Sequence, residues 1–220
     1  MHGHDIARTE RMEMYLKAVY QLQSAGTPPT VSRVAEYLGL SAASASEMLK
    51  RLDQQKLIVS DNDGWHLSKQ GLKVANQVVR RLRLAECMLV NLLEIPLPHA
   101  YTEACKWEHV ISPEVEARLA VVLKRPKICP HGYPIPYDDN EDPVHSQTFL
   151  HEAKDNQKVT VCQIPEADEK LVSYLEGIGV LPGVSLTIKS VGPFKGPIMF
   201  SSKTGDHAIG QELASQIAIK

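Results

Sequence analysis

Residues 30–57, TVSRVAEYLGLSAASASEMLKRLDQQKL, decide how the rest of the chain is read. Val31, Val34, Ala35 and Leu38 recur at three- and four-residue steps, the spacing of a short amphipathic helix opened by Thr30. Gly39 stops it. Ser41 is placed to cap a second helix, whose buried face is Met48, Leu49, Leu52 and Leu57. Ser44 and Glu47 have capping-box spacing as well, which leaves that start open by one turn. Helix, short glycine turn, helix is the spacing of a helix-turn-helix. The next residues, LIVSDNDGWHL at 57–67, read as two short strands about Asp61-Asn62-Asp63-Gly64, a good hairpin signal. A hairpin in that place is the wing of a winged helix.

Upstream, residues 9–25 (TERMEMYLKAVYQLQSA) carry Met12, Tyr15, Leu16, Val19, Tyr20 and Leu22 at helical spacing, with Thr9 as a cap. Downstream, Ser68 opens a long helix over 68–94, with Val74, Val78, Leu82, Ala85, Leu89 and Leu92 as its stripe. Two further helices follow at 99–111 and 113–124, the second with Pro113 behind a Ser112 cap. Residues 125–136 are rich in Pro and Gly and read as loop, and 138–155 are polar and acidic and read as linker. After Lys158 the strings VTVCQI, VSLTIKSV and PIMFSS have strand character, with a short helix at 169–176 between them. The expected class is mainly α with a small β domain built as a barrel.

The 220 residues are 43% apolar and 23% charged, which excludes a disordered or fibrous chain. No apolar run approaches the roughly 18 residues of a membrane span, and the first ten residues contain no apolar leader. Charge is uneven. Residues 1–94 hold 12 basic and 10 acidic side chains, net +2; residues 95–158 hold 7 and 10, net -3; residues 159–220 hold 5 and 6, net -1. A polyanion therefore meets the first segment best. Cys87, Cys105, Cys129 and Cys162 form no CxxC pair, so a reduced, cytoplasmic setting is expected.

Cys105-Lys106-Trp107-Glu108-His109 is the strongest chemical signal. On a helix, Cys105, Glu108 and His109 share a face. Thiolate, carboxylate and imidazole suit a first-row transition metal, although a helical Cys is also a common small core residue. Met14 reads by itself as core packing. The second helix of the helix-turn-helix offers Ser41, Ala42, Ala43, Ser44, Ser46, Glu47, Lys50 and Arg51 to DNA, with Lys69, Lys73, Arg80, Arg81 and Arg83 available on the long helix. The bland alternative is a solvated helix face. No HExxH or comparable catalytic string is present, and no enzyme is expected.

The strings EMYLKAVYQL, VAEYLGLSAASASEMLKRL, RLAE at 83–86, EACKWEHVIS at 103–112 and CPHGYPIP at 129–136 resemble the diphtheria toxin repressor and iron-dependent regulator family over almost the whole chain. The resemblance implies a winged-helix domain at 1–72, a helical dimerisation and metal-binding domain at 73–140, a linker at 141–158 and an SH3-like (FeoA-like) domain at 159–220. It implies a metal-dependent homodimeric transcriptional repressor of metal homeostasis genes, binding palindromic double-stranded operator DNA. The family's principal metal site falls on Met14, Cys105, Glu108 and His109. Met14 and Cys105 resemble the iron-responsive branch, whereas the manganese-responsive branch usually has acidic residues there. Fe(II) is thus the expected metal and Mn(II) the second, with Co(II) or Ni(II) as substitutes in vitro.

The family's ancillary site falls on Leu82, Glu86 and Tyr101, of which only Glu86 matches, with third-domain ligands falling near Ala167 and Lys170. His99, Glu166 and Glu169 are neighbours that would rebuild it. Cys129 and His131 look like a second metal pair, but CPHG is an ordinary loop string in the family, so a structural role is expected. His2 and His4 are weak adventitious ligands. Ala43 and Glu47 depart from residues that touch bases in some iron-responsive members, and Glu47 favours a cytosine amino group. The rival outside this class is a thiol redox regulator using Cys105 or Cys129.

Overall fold

A computed structural model describes the backbone of residues 3–142 and 147–220, with side chains from Thr9 onward. His2 lies outside the described residues, as does the side chain of His4. The chain separates into two compact units. The first holds the chain up to Leu82, Glu108–Ile111 and the stretch from Pro136; the second holds the remainder. Among the described residues, no helix is long and apolar enough to cross a membrane.

The first unit begins with α1 (Gly3–Ser24), which starts ahead of Thr9, so Thr9 is not its cap. Two short helices follow, α2 (Val31–Leu38) and α3 (Ala42–Gln54). Thr30 caps α2, and Gly39 ends it at φ 64°, left-handed backbone that glycine adopts without strain. Ser41 caps α3 by accepting from the Ser44 backbone N–H at 3.2 Å, which resolves the ambiguity of one turn. Strands β1 (Ile58–Asp61) and β2 (Gly64–Leu67) pair as the expected hairpin. Asp61 Oδ1 accepts from the backbone N–H of Asp63 at 2.8 Å and of Gly64 at 3.2 Å, locking its turn. Tyr15, Leu16, Val19, Val34, Leu49, Leu52 and Ile58 form one core, burying the apolar stripes read from sequence.

Helix α4 (Lys69–Asn91) follows the hairpin. Ser68 Oγ accepts from the Gly71 N–H at 3.1 Å and donates to Lys56 O at 2.7 Å. Arg80 donates to Pro136 O at 2.9 Å and Asp139 Oδ1 at 3.1 Å, while Asn76 holds the carbonyls of Asp139 and Glu141. Arg80 is thus committed to folding the 136–142 stretch onto α4. Arg81 is committed to Glu13, and Arg83 is fully buried. Of the basic residues expected to face DNA from this helix, only Lys69 and Lys73 are exposed.

In the second unit, α5 (Leu97–Trp107) is shorter than expected. Val110 and Ile111 are β-branched, and Ser112 caps α6 (Pro113–Val122), so Glu108 and His109 occupy a turn rather than the last turn of a helix. The β domain comprises β3 (Thr148–Phe149), β4 (Lys158–Gln163), α7 (Glu169–Gly177), β5 (Ser185–Val191), β6 (Ile198–Ser202), β7 (Gly205–Ile209), the one-turn α8 (Gln211–Ala214) and β8 (Ala218–Ile219). The strand order is β3-β8-β4-β5-β6-β7, an open antiparallel sheet rather than a closed barrel. Its end strands do not pair; β3 has only two residues, too few to bridge back to β7. Strand β4 serves two partners, β5 with Lys158–Thr160 and β8 with Val161–Gln163. Val159, Val161, Leu186, Ile188, Ile198 and Phe200 face a core covered by Val172 and Leu175 of α7. Strand β3 and buried Leu150 lie inside the stretch that composition reads as linker.

Helix α4 passes so close to Leu57 that a Cβ on Gly71 would lie 1.8 Å from the Leu57 carbonyl oxygen. Backbone must move to admit it, so Gly71→Ala should destabilise the first unit by about 3 kcal/mol, measured by urea unfolding.

Candidate metal centres

Most of the α3 residues expected to meet DNA are accessible. Ser41, Ala42, Ala43, Ser44, Glu47, Lys50 and Arg51 of α3 are exposed, and Ser46 is half-buried. Glu47 and Arg51 line a cleft shared with Arg11 and Tyr15 of α1. Tyr15 is almost fully buried, and its hydroxyl donates to the Ser44 carbonyl at 3.4 Å. The residue after Met14 therefore braces the first turn of the exposed helix.

Around Glu108 the first unit builds a charged network. Glu108 is 1% exposed. Its Oε1 accepts from Lys17 Nζ at 2.5 Å and lies 3.1 Å from His109 Nε2. His109 Nδ1 lies 2.7 Å from Glu13 Oε2, and Glu13 Oε1 accepts from Arg81 at 3.0 Å. Burial disfavours charge on His109, but its hydrogen bonds to Glu108 and Glu13 outweigh this and raise its pKa to about 9. Burial likewise opposes ionisation of Glu13, yet His109 and Arg81 hold it below the ordinary carboxylate value. Glu108 Oε2 is buried without a hydrogen-bond partner. A bare buried carboxylate oxygen beside an imidazole fits a cation. Met14 is exposed on α1, and Cys105 is half-buried on α5 in the other unit.

A second constellation lies wholly within the second unit. Glu86, Cys129, His131 and Glu166 each place one ligand atom within 4.8 Å of the others, and all four are buried. His131 Nδ1 lies 2.7 Å from Glu86 Oε1. Arg83 donates to Glu86 Oε2 at 2.8 Å and grips Glu166 with both terminal nitrogens. The Tyr133 ring covers the guanidinium at 4.2 Å. Burial pushes the Cys129 thiol well above its ordinary value, reinforced by the Glu86 charge. His131 Nε2 is buried and has no partner. Two carboxylates, a thiol and an imidazole with a free nitrogen form a donor set that fits a first-row divalent ion.

A tight loop brings these residues together. Cys129 N–H donates to Tyr133 O at 2.8 Å, and Gly132 N–H to Cys129 O at 2.9 Å. Gly132 has φ +93°, and a Cβ there would lie 1.9 Å from the Cys162 carbonyl oxygen of β4. The N–H of Ile164 donates to His131 O at 3.0 Å, so the loop is stitched to the chain two residues before Glu166. The CPHG loop, expected to be structural, places donor atoms of both Cys129 and His131 in one group with Glu86 and Glu166. Of the neighbours named for rebuilding a site around Glu86, Glu166 joins it. His99 pairs instead with exposed Glu169 at 3.0 Å. Leu82 is buried and Tyr101 half-buried, and neither belongs to the cluster.

Lys17→Ala would leave Glu108 buried without its ammonium partner. It should cost the metal-free protein roughly 3 kcal/mol in urea unfolding, with Lys17→Ala/Glu108→Gln regaining most of the loss.

Comparison with known proteins gives the family. Residues 8–64 match the family model described as "Iron dependent repressor, N-terminal DNA binding domain". Residues 68–137 match "Iron dependent repressor, metal binding and dimerisation domain", and residues 149–220 match "FeoA domain". The iron-dependent repressor IdeR of Mycobacterium leprae (strain TN) is 35% identical over 191 residues, covering 81% of this chain and 83% of the relative. The diphtheria toxin repressor of Corynebacterium diphtheriae (strain ATCC 700971) is 36% identical over 162 residues, covering 70% and 72%. A solved manganese-dependent transcriptional repressor in complex with manganese superposes with a TM-score of 0.87 at 30% identity, covering 94% of this chain and 98% of that one. The manganese regulator SloR superposes at 0.80 with 28% identity, covering 95% and 97%. On this similarity and on its three matched domains, the chain belongs to the diphtheria toxin repressor family of iron-dependent repressors.

Proposed function

We propose that this metal-dependent transcriptional repressor works as a homodimer that grips palindromic operator DNA when divalent metal, foremost Fe(II), occupies Met14, Cys105, Glu108 and His109. We assign Glu86, Cys129, His131 and Glu166 as a second centre. The family's members are DNA-binding repressors and not enzymes. The observation that carries the reading is Glu108: a buried carboxylate with one bare oxygen, beside His109, on a network anchored to the helix that braces α3.

The chain's own residues supply the switch. In the metal-free state Lys17 and His109 neutralise Glu108, while Glu13 holds His109 by its other nitrogen. Loading requires His109 to give up its proton and Lys17 to give up Glu108. The ion supplies two positive charges and a directional link between donors distant in sequence. Tyr15, next to Met14, passes a change in α1 to the first turn of α3 through the Ser44 carbonyl. DNA affinity rises only by as much as the metal prefers the DNA-competent state. Leu92, Leu93, Trp107, Val115, Val121 and Val122 are exposed in or beside the region matched as a dimerisation domain, and a second copy would cover them. Met14 and Cys105 bring sulfur donors, which favour Fe(II) over Mn(II). A manganese regulator of the same family is the second reading, supported by the manganese-dependent repressors among its structural neighbours.

Fluorescence anisotropy with operator DNA under anaerobic conditions tests the reading. Fe(II) should tighten binding by at least about 100-fold over chelator, roughly 3 kcal/mol of coupling. His109→Ala should remove that gain while leaving the weak, salt-sensitive binding intact. Equal affinity in chelator and in saturating metal would refute the switch. A thiol redox regulator would keep its response in His109→Ala and lose it on reduction.

A further inference from the structure

Arg83 is the largest fully buried side chain of the described residues, and the metal reading gives it no task. Its side chain is 1% exposed, beside Glu86 at 0% and Glu166 at 8%. Within the second centre every carboxylate oxygen is already engaged. Glu86 Oε2 and both oxygens of Glu166 accept from Arg83, and Glu86 Oε1 meets His131 Nδ1. Each oxygen that a divalent ion would take thus has a donor among the chain's own residues, and for three of the four that donor is one guanidinium.

We propose that Arg83 is a built-in competitor of the metal at the Glu86–Cys129–His131–Glu166 centre: a tethered cation that holds the two carboxylates together in the metal-free chain and sets the concentration at which the ion is accepted. This rests on reading those four residues as a metal centre. Two buried carboxylates within ligand distance repel each other, and without a cation between them the empty centre would open or take up protons. Arg83 removes that repulsion, so the centre is assembled before loading. The same charge then opposes the incoming ion across a few ångströms of low-dielectric interior. It cannot be lost, because guanidinium stays protonated in proteins. A carboxylate oxygen has more than one lone-pair direction, so Arg83 and an ion can share these carboxylates at a weakened affinity. A weakened, preassembled centre suits a sensor, which must release its ion when supply falls.

The opposite role for the same residue is plain positioning: Arg83 would orient Glu86 and Glu166 and thereby strengthen metal binding. The two roles predict opposite signs. Titration calorimetry of the full chain with Mn(II), in reduced anaerobic buffer, distinguishes them. Arg83→Gln should bind one Mn(II) per chain about tenfold or more tighter than the unaltered protein. Its metal-free melting temperature should fall and return toward the unaltered value at saturating Mn(II). Arg83→Lys, which keeps the charge, should bind more weakly than Arg83→Gln. Unchanged or weaker Mn(II) binding by Arg83→Gln overturns the inference. Should Arg83→Gln fold only with metal, recovery of its helical circular dichroism on adding Mn(II) supports the competitor role, and no recovery overturns it. His131→Ala separates the two levels. If it binds as many ions as the unaltered protein, the centre itself is not a metal site. If it loses one ion while Arg83→Gln binds no tighter, only the role of Arg83 falls.

Discussion

The structure depends on carboxylates that are buried with their charge compensated. Glu108 is enclosed with Lys17 and His109, and Glu86 and Glu166 are enclosed with Arg83 and His131. Pairs of this kind add little net stability over apolar packing, but removing one partner is severe. They make sense where the charge is to be handed from an internal base to something else. The clusters also leave buried polar atoms unsatisfied, Glu108 Oε2 in one and both His131 Nε2 and Arg83 Nε in the other. Such orphans are uncommon in folded proteins and call for an explanation. On the proposed reading, a divalent ion would supply it for Glu108 Oε2 and His131 Nε2.

Helix α1 carries Glu13 and Lys17 in the network around Glu108 and Tyr15 against the Ser44 carbonyl of α3. Fixing or releasing this helix alters the support of the exposed turn that begins at Ser41. Arg80 and Arg81 are held by Asp139 and Glu13 and strengthen the frame, which leaves Lys50 and Arg51 as the exposed cations of the reading helix itself.

The winged helix was legible because each signal is local: Thr30 and Ser41 as caps, Gly39 at positive φ, Asp61 closing the hairpin turn. The caps resolved where periodicity alone left a turn in doubt. The C-terminal domain was legible as β-rich but not as an open sheet, because closure depends on pairing between the chain's most distant strands. Helical spacing puts Glu108 and His109 on a helix that in fact ends at Trp107; their proximity survives because a turn also keeps near neighbours together. The second centre was the least legible. Glu86, the Cys129–His131 loop and Glu166 lie on three separate segments, joined only when Gly132 packs against the Cys162 carbonyl. The available signal was a cysteine and a histidine in CPHG, one residue apart and followed by a glycine. Sequence alone offers Arg83 to DNA because charge composition does not reveal its burial.

The central claim is that two carboxylate centres receive divalent ions. Anomalous diffraction at the manganese edge, from crystals of the full chain grown with Mn(II) and operator DNA, tests it most directly. The account predicts two peaks per chain. One lies within coordination distance, about 2.0–2.3 Å, of Glu108 and His109, and the other at the same distance from Glu86, His131 and Glu166. Crystals that bind DNA yet show no anomalous density at either centre would contradict it.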